Sequence, residues 1–233
     1  MDSATPNGRG RVSRSSLPKN PSLRHERAAW LAGYEIVAGV DEVGRGAWAG
    51  PLVAAAVVLP RDAGVRRKLT RLVNQSSLRP RDSKLVSPDD RVQIVDILRV
   101  LNIPMAKCEI SPADIDVLGV GVANRAALSG AVLALPDVDF ALLDAFRVED
   151  LTCDGQAIIG GDRRCLSIAL ASIVAKVHRD QIMVGLDASY PGYGFAQHKG
   201  YGTRMHSEAL EALGVCDQHR RSFRPVAECL VRV

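Results

Sequence analysis

Two short apolar runs separated by a glycine-rich turn stand out in the first third of the chain. Glu35 to Asp41 and Leu52 to Leu59 are rich in Val and Ala, lack polar alternation and are bounded by Gly and Pro. That is the pattern of neighbouring strands buried on both faces, and it predicts a hairpin. Pro60 to Pro80 is polar and basic and reads as a connection, helix-containing or mobile. Ser87-Pro88-Asp89-Asp90 supplies an N-cap, a proline suited to the first helical position and two acids for the first turn. Val92, Ile94, Val95, Ile97 and Leu98 continue it as a helix of about fifteen residues. Met105 to Ile110 predicts a third strand, Ser111-Pro112 starts a short helical turn, and Val122 to Leu135 forms a longer alanine-rich helix. Val138 to Leu143 has the composition of a buried strand and ends at Asp144. A loop with Asp150, Asp154 and Gly155 leads to another short apolar run, Ala157 to Ile159, which ends in Gly160-Gly161-Asp162. Ser167 to Met183 is a helix whose small residues permit close packing. Tyr190 to Gly202 is rich in turn formers, and Thr203 then caps a last helix that Gly214 stops after Leu213. Strands come first and helices later, with at least one strand between helices, so the class is a mixed α/β layer.

At 233 residues and 47% apolar composition the chain can bury a substantial core. With 4% aromatic residues, that core is built from Ala, Val, Leu and Ile, which suits helices packed closely on a sheet. No run approaches the ~20 apolar residues of a membrane span, so a soluble protein without a membrane partner is expected. Cys108, Cys153, Cys165, Cys216 and Cys229 are odd in number and widely spaced, with no Cys-x-x-Cys and no signal-peptide core before them. They read as thiols in a reducing cytoplasm rather than a disulfide scaffold or zinc site. His25, His178, His198, His206 and His219 show no metal-ligand spacing, and only His198 has a neighbourhood that suggests substrate contact.

The charge is uneven. Residues 1–27 hold Arg9, Arg11, Arg14, Lys19, Arg24 and Arg27 against Asp2 and Glu26, and the remainder is formally neutral. This Ser-, Pro- and Gly-rich segment lacks apolar periodicity and is expected to be a disordered basic arm, with residues 28–233 as the folded domain. A transit peptide is the competing reading, opposed by Pro6, Pro18 and Pro21.

The chemistry concentrates where the first strand delivers Asp41 and Glu42 into Gly44-Arg45-Gly46. Anionic metal ligands there adjoin backbone amides that glycine leaves approachable and a guanidinium that pairs phosphate oxygens. Asp144 and Asp162 stand at the ends of two further apolar segments. Four carboxylates gathered at one sheet edge repel one another unless cations neutralise them, and all-oxygen ligands select Mg²⁺ or Mn²⁺ over Zn²⁺. Two such ions ~4 Å apart suit in-line displacement at phosphorus. Because successive strand side chains point to opposite faces, Glu42 is expected beyond the regular strand, where the turn redirects it.

Asp41-Glu42-Val43-Gly44-Arg45-Gly46, Asp82-Ser83-Lys84-Leu85, Asp144, Gly161-Asp162, Ser167 through Asp180, and Tyr193-Gly194-Phe195-Ala196-Gln197-His198-Lys199-Gly200-Tyr201 together closely resemble the signatures of the bacterial ribonuclease HII family, the type 2 ribonucleases H. The resemblance runs in order from about Val37 to Pro225. It implies a ribonuclease H-like fold: a central mixed five-stranded sheet flanked by helices, with a helical C-terminal appendage. It implies that Asp41, Glu42, Asp144 and Asp162 bind two Mg²⁺ or Mn²⁺ ions. It implies that Gly44, Arg45 and Gly46 touch the ribonucleotide 2′-hydroxyl and adjoining backbone, that Tyr201 stacks on the sugar at the RNA-to-DNA junction, and that Lys84 lies near the phosphate path. The implied partners are RNA–DNA hybrids and duplex DNA with embedded ribonucleotides, cut on the 5′ side to leave 3′-hydroxyl and 5′-phosphate ends by a monomer. Three positions depart from the family pattern: Ala145 replaces a glycine, Gly160 replaces a lysine near the metal site, and Leu170 interrupts a run of alanines. Among supporting residues, Lys176 and Arg179 fit a structural salt bridge as well as a phosphate contact.

Overall fold

Polar alternation is missing from the first two strands because both of their faces are covered. In the computed structural model, which describes residues 20–74, 80, 83, 86–145, 148 and 151–231, every residue of Leu52–Val58 is buried. Along the chain the elements are α1 (Arg24–Leu31), β1 (Val37–Val43), β2 (Leu52–Val58), α2 (Ala63–Asn74), α3 (Pro88–Val100) and β3 (Met105–Ile110). There follow α4 (Pro112–Leu118), α5 (Val120–Leu133), β4 (Phe140–Asp144), β5 (Asp154–Ile158), α6 (Leu166–Ser189), α7 (Phe195–His198), α8 (Arg204–Leu213) and α9 (Arg224–Val231). The sheet order is β3-β2-β1-β4-β5. β1 and β3 run antiparallel to β2, while β1, β4 and β5 are mutually parallel, giving the expected mixed five-stranded sheet.

One face, with Val37, Val53, Ala55 and Val57, packs on α6 and α3 through residues such as Leu170, Ile173, Ile94 and Leu98. The other, with Ala38, Val40, Ala54 and Ala56, packs on α5 through Ala123, Ala127 and Leu128. Small residues set the separation. A Cβ at Gly39 would fall on the Ser167 backbone at the start of α6, so only glycine lets that helix lie against β1. The sequence signals for helix starts are realised in the bonds. The Ser87 Oγ accepts from the Asp90 amide at 3.2 Å and the Ser111 Oγ from the Asp114 amide at 3.1 Å, each ahead of a proline in the first turn.

The expected boundary at residue 27 moves. α1 begins at Arg24, and Glu26 is fully buried. Its Oε1 accepts from the Ser167 amide at 2.8 Å and from the Cys165 thiol at 3.1 Å, so a carboxylate from α1 caps the N-terminus of α6. Just before α1, the Ser22 amide donates to the Arg164 carbonyl and the Leu166 amide donates back to the Ser22 carbonyl. Charge counting hides this contact because Arg24 and Arg27 are exposed while Glu26 between them is the structural group. Residues 1–19 lie outside the described residues. A chain starting at residue 20 should melt like the full chain, whereas one starting at residue 28 should lose about 1–2 kcal/mol, the usual worth of a helix cap. Urea unfolding of the two truncations checks this, and equal midpoints would show that Glu26 contributes nothing as a cap.

Candidate active site

Strand register brings the acids together. Val40 stands beside Leu143 in the parallel β1–β4 pair, so Asp41 and Asp144 follow at the same end of neighbouring strands. Asp162 lies on a single 3₁₀ turn, Gly161–Arg163, rather than at a strand end, and Asp154, assigned to a loop from sequence, is the first residue of β5. The turn is tied to the sheet: the Gly161 amide donates to Asp144 Oδ1 at 2.7 Å. Glu42 is also placed differently from expectation. β1 continues to Val43, and Glu42 pairs with Ala54 inside the ladder, so it does not lie beyond the regular strand. Glu42 and Asp41 therefore leave β1 on opposite faces and still reach one cleft, because both stand at the sheet's end.

That cleft, about 460 Å³, is lined by Asp41, Glu42, Asp144 and Asp162 together with Gly44, Arg45, Gly46 and Tyr201. Ser83, Ser172 and Lys176 complete its wall. Of the candidate site residues, Lys84 lies outside the described residues, as do Asp82 and Leu85 of its motif and Asp150 of the loop before β5. Lys176 does form the anticipated salt bridge, to Asp180 at 2.7 Å.

Burial and mutual repulsion govern how the acids titrate. Burial first, then the charges of Asp144 and Glu42, hold the Asp41 carboxyl well above the usual carboxylate range. Burial and Asp144 push Glu42 up to about 7 despite the nearby Arg45. Glu42 Oε2 and both amide atoms of Asn124 on α5 are buried without a well-formed hydrogen bond, although the Asn124 side chain lies near enough to Glu42 to favour its ionised form slightly. An all-oxygen donor set, mutually repelling acids and a buried carboxylate oxygen without a well-formed hydrogen bond fit a hard divalent cation. Among the described residues no three such side chains are already close enough to form a closed ligand set. Asp41 Oδ1 is engaged by the Glu42 amide at 2.8 Å and Asp144 Oδ1 by Gly161, and like charges resist closer approach.

A proton-linked metal response follows. Glu42 is protonated more readily in the folded chain than in the unfolded one. Its contribution to metal-free stability is therefore full below about 4.5 and lost as pH rises through about 7. A cation must displace that proton, so Mg²⁺ affinity should rise between about pH 6 and about pH 8, with protons released on binding. Calorimetry in buffers of different ionisation enthalpy measures the release, and a buffer-independent heat at about pH 6 would contradict the assignment.

Two buried arginines, whose roles the sequence does not disclose, position the loop that follows β1. Arg179 of α6 has no ion pair among the described residues. It donates to the carbonyls of Pro51 at 2.9 Å, Lys199 at 2.8 Å and Ala49 at 3.1 Å, and its guanidinium lies 5.5 Å from the centre of the Tyr201 ring. It thus joins the β1–β2 connection to the Tyr201 loop, and Gly44, at φ 86°, passes so near it that a Cβ would collide with Arg179 Nε. Arg220 donates to the Gly50 carbonyl at 2.9 and 3.1 Å and to the Arg45 carbonyl at 3.0 Å. Burial and the neighbouring charge of Arg179 lower its pKa to about 9. A trans peptide points its N–H opposite to its C=O. With the Arg45 carbonyl fixed inward, the Gly46 N–H faces away from Arg220, on a residue that is exposed to the cleft.

The Tyr201 loop rests on a chain of neutral histidines that spacing alone did not reveal. The Cys216 amide donates to His219 Nδ1 at 3.1 Å, the two Nε2 atoms of His219 and His206 are 3.0 Å apart, and His206 Nδ1 is 3.0 Å from the Tyr201 carbonyl. One set of tautomers satisfies all three: His219 donates to His206, and His206 donates to Tyr201. Burial lowers both histidines to about 4, which keeps the chain neutral. His198 belongs to this support rather than to the cleft. It is buried, its Nε2 lies 2.7 Å from the Tyr193 carbonyl and its Nδ1 accepts from the Gly200 amide at 3.1 Å.

Comparison with known proteins adds a family. A family model described as Ribonuclease HII matches residues 38–226. A ribonuclease HII of Roseiflexus castenholzii is 42% identical over 209 residues, covering 89% of this chain and 90% of its own. The fold is similar to that of ribonuclease H2 from Pyrococcus horikoshii OT3, with a TM-score of 0.69 at 23% identity over 84% of this chain and 98% of that one. It is also similar to Bst-RNase HIII in complex with Mn²⁺, with a TM-score of 0.64 at 20% identity over 88% of this chain and 72% of that one.

Proposed function

The chain belongs to the ribonuclease HII family and is an endonuclease of the ribonuclease H type acting on RNA–DNA hybrids, and we propose that it also cuts duplex DNA on the 5′ side of single embedded ribonucleotides. Such cleavage leaves 3′-hydroxyl and 5′-phosphate ends and would serve ribonucleotide removal and primer RNA degradation. The observation that carries this reading is the gathering of two elements into the one acid cleft, the Gly44 to Gly46 loop and Tyr201, both set against Arg179.

In this reading Asp41, Glu42, Asp144 and Asp162 would hold divalent metal, Mg²⁺ or Mn²⁺, which would supply Lewis-acid activation of water and of the leaving oxygen. The protein's own groups do the recognition. The Gly46 N–H, fixed by the bond from Arg220 to the Arg45 carbonyl, is a donor suited to a ribose 2′-hydroxyl, the group that separates RNA from DNA. Arg45 pairs a backbone phosphate. The Tyr201 ring, with Arg179 beneath it and its carbonyl held by His206, offers a flat apolar face to the sugar that follows. The cleft, loop and ring all come from one chain, so a monomer suffices. Free cysteines agree with a reducing cytoplasm, and among the described residues no single helix is long and apolar enough to cross a membrane.

The test compares a duplex carrying one ribonucleotide with its all-DNA twin, with and without Mg²⁺. Cleavage of the first alone, and only with metal, is expected. Cutting of both duplexes would replace this reading with a general metal-dependent nuclease, and cutting of neither would leave a nucleic-acid binder.

A further inference from the structure

Away from the acid cleft, the described surface carries a concentration of positive charge that the reaction does not use. α2 contains Arg66, Arg67, Lys68 and Arg71 and no acid. Between it and the α1 region lies a groove of about 660 Å³ whose walls include Arg27, Arg66, Arg67 and Arg71 and no carboxylate. Residues 28–233 are formally neutral as a whole, so the excess is local. Arg66 is built into the wall: it donates to the carbonyls of Pro60 and Arg61, and its guanidinium lies 4.7 Å from the centre of the Trp30 ring. Leu69, buried in the core, anchors the helix from beneath. Arg27, Arg67, Lys68 and Arg71 are exposed, and none makes an ion pair among the described residues.

Cations held together without an acid repel one another, and a polyanion relieves that repulsion. The chain's own N-terminal segment is excluded as occupant by its charge. It joins the described residues just before Leu23 on the groove wall, and it carries Arg9, Arg11, Arg14 and Lys19 against Asp2 alone. The polyanion that a nuclease meets is its substrate duplex.

We propose that the groove between α1 and α2 is a second nucleic-acid contact, binding the sugar–phosphate backbone of the duplex away from the scissile bond. The inference rests on the nuclease reading above. Its placement comes from the topology. β2 runs antiparallel to β1 and Asp41 stands level with Ala55, so the last three residues of β2 carry the chain away from the acids and α2 begins beyond its far end. At ~3.3 Å per residue the end of β2 is about 10 Å from Asp41, and Leu59 to Asp62 lead on from there to α2. A duplex rising ~3.4 Å per base pair covers that first ~10 Å in about three base pairs.

The test removes exposed charge from α2, Arg67 and Arg71 on the groove wall and Lys68 beside them, with Arg67→Ser, Lys68→Ser and Arg71→Ser in one variant, leaving Leu69 in place. Metal-free binding to a long duplex with one central ribonucleotide is measured against KCl concentration. Each lost phosphate contact reduces the log–log slope by ~0.9, so the variant's slope should be shallower by about 2–3. A variant with Arg67→Lys and Arg71→Lys keeps the charge and should keep the wild-type slope. On a duplex ending about two base pairs from the ribonucleotide, too short to reach α2, wild type and triple variant should share one slope. Equal slopes on the long duplex would overturn the proposal, and an equal loss on the short one would overturn its placement. Melting of the variants confirms the fold. Cleavage by the wild-type protein is followed on the same duplex, so failure of the nuclease reading appears there and not in the slopes.

Discussion

Asp41→Asn and Asp144→Asn should each lower the cleavage rate by at least about a thousandfold while hybrid binding stays measurable. A neutral amide matches the carboxylate in shape but is a poor ligand for a hard cation, and losing metal activation costs several kcal/mol of barrier, ~1.4 per factor of ten. Position in the fold argues that the damage is chemical rather than structural. Asp41 is buried with its carboxyl held well above the usual range, first by burial and then by Asp144 and Glu42, so its ionised form is a burden on the metal-free fold. Replacing it removes that burden, and the metal-free mutant should melt no lower than wild type. The bond from Gly161 to Asp144 Oδ1 survives in Asn, whose side-chain carbonyl accepts equally. Rates within about tenfold of wild type in either mutant would mean that metal is held elsewhere.

Tyr201→Ala should lose most on a lone ribonucleotide in DNA. Aromatic stacking is worth ~1–3 kcal/mol by alanine substitution, which corresponds to roughly five- to 150-fold in kcat/KM. A long hybrid offers many riboses and many registers to the loop at Gly44 to Gly46, so its loss should be smaller. Tyr201→Phe keeps the ring over Arg179 and separates stacking from hydrogen bonding. The comparison needs both substrates at one salt and one Mg²⁺ concentration. Equal losses for Tyr201→Ala on both substrates would reduce the ring to scaffolding.

The residues that sequence reading located well are those whose signal is local. The apolar runs of β1 and β2, the Ser-Pro starts of α3 and α4, and the stop at Gly214 depend on neighbours within a turn, and the structure shows each one. Asp144 is legible in position because it is the last residue of β4, whereas Asp41, two residues before β1 ends, meets it through the β1–β4 register. Asp162 was only half legible, since its position depends on the Gly161 turn being tied to Asp144 across the sheet. Glu42 misled because strand alternation was taken to forbid two adjacent residues from sharing a cleft, whereas at the end of a sheet both faces open onto it.

Supporting groups were the least legible. Arg179 and Arg220 look like surface or salt-bridge residues, yet their partners are backbone carbonyls from distant loops, which no side-chain pattern encodes. Glu26 was lost in a basic segment because its partner, the start of α6, lies 141 positions away. Ala145 shows the converse: the departure from a glycine is visible in sequence, and the structure places it at φ 57°, a left-handed conformation that costs an alanine about 1–2 kcal/mol.

The most direct measurement is the position and chemistry of the cut. A duplex with one ribonucleotide, labelled at the 5′ end of that strand, is incubated with enzyme and Mg²⁺, and the fragments are sized against a ladder and offered to a DNA polymerase. Cleavage directed by the Gly46 loop and Tyr201 should give a single break on the 5′ side of the ribonucleotide, with an upstream end that the polymerase extends and a downstream 5′-phosphate. A break on the 3′ side, or a cyclic phosphate end showing that the 2′-hydroxyl itself attacked, would contradict it.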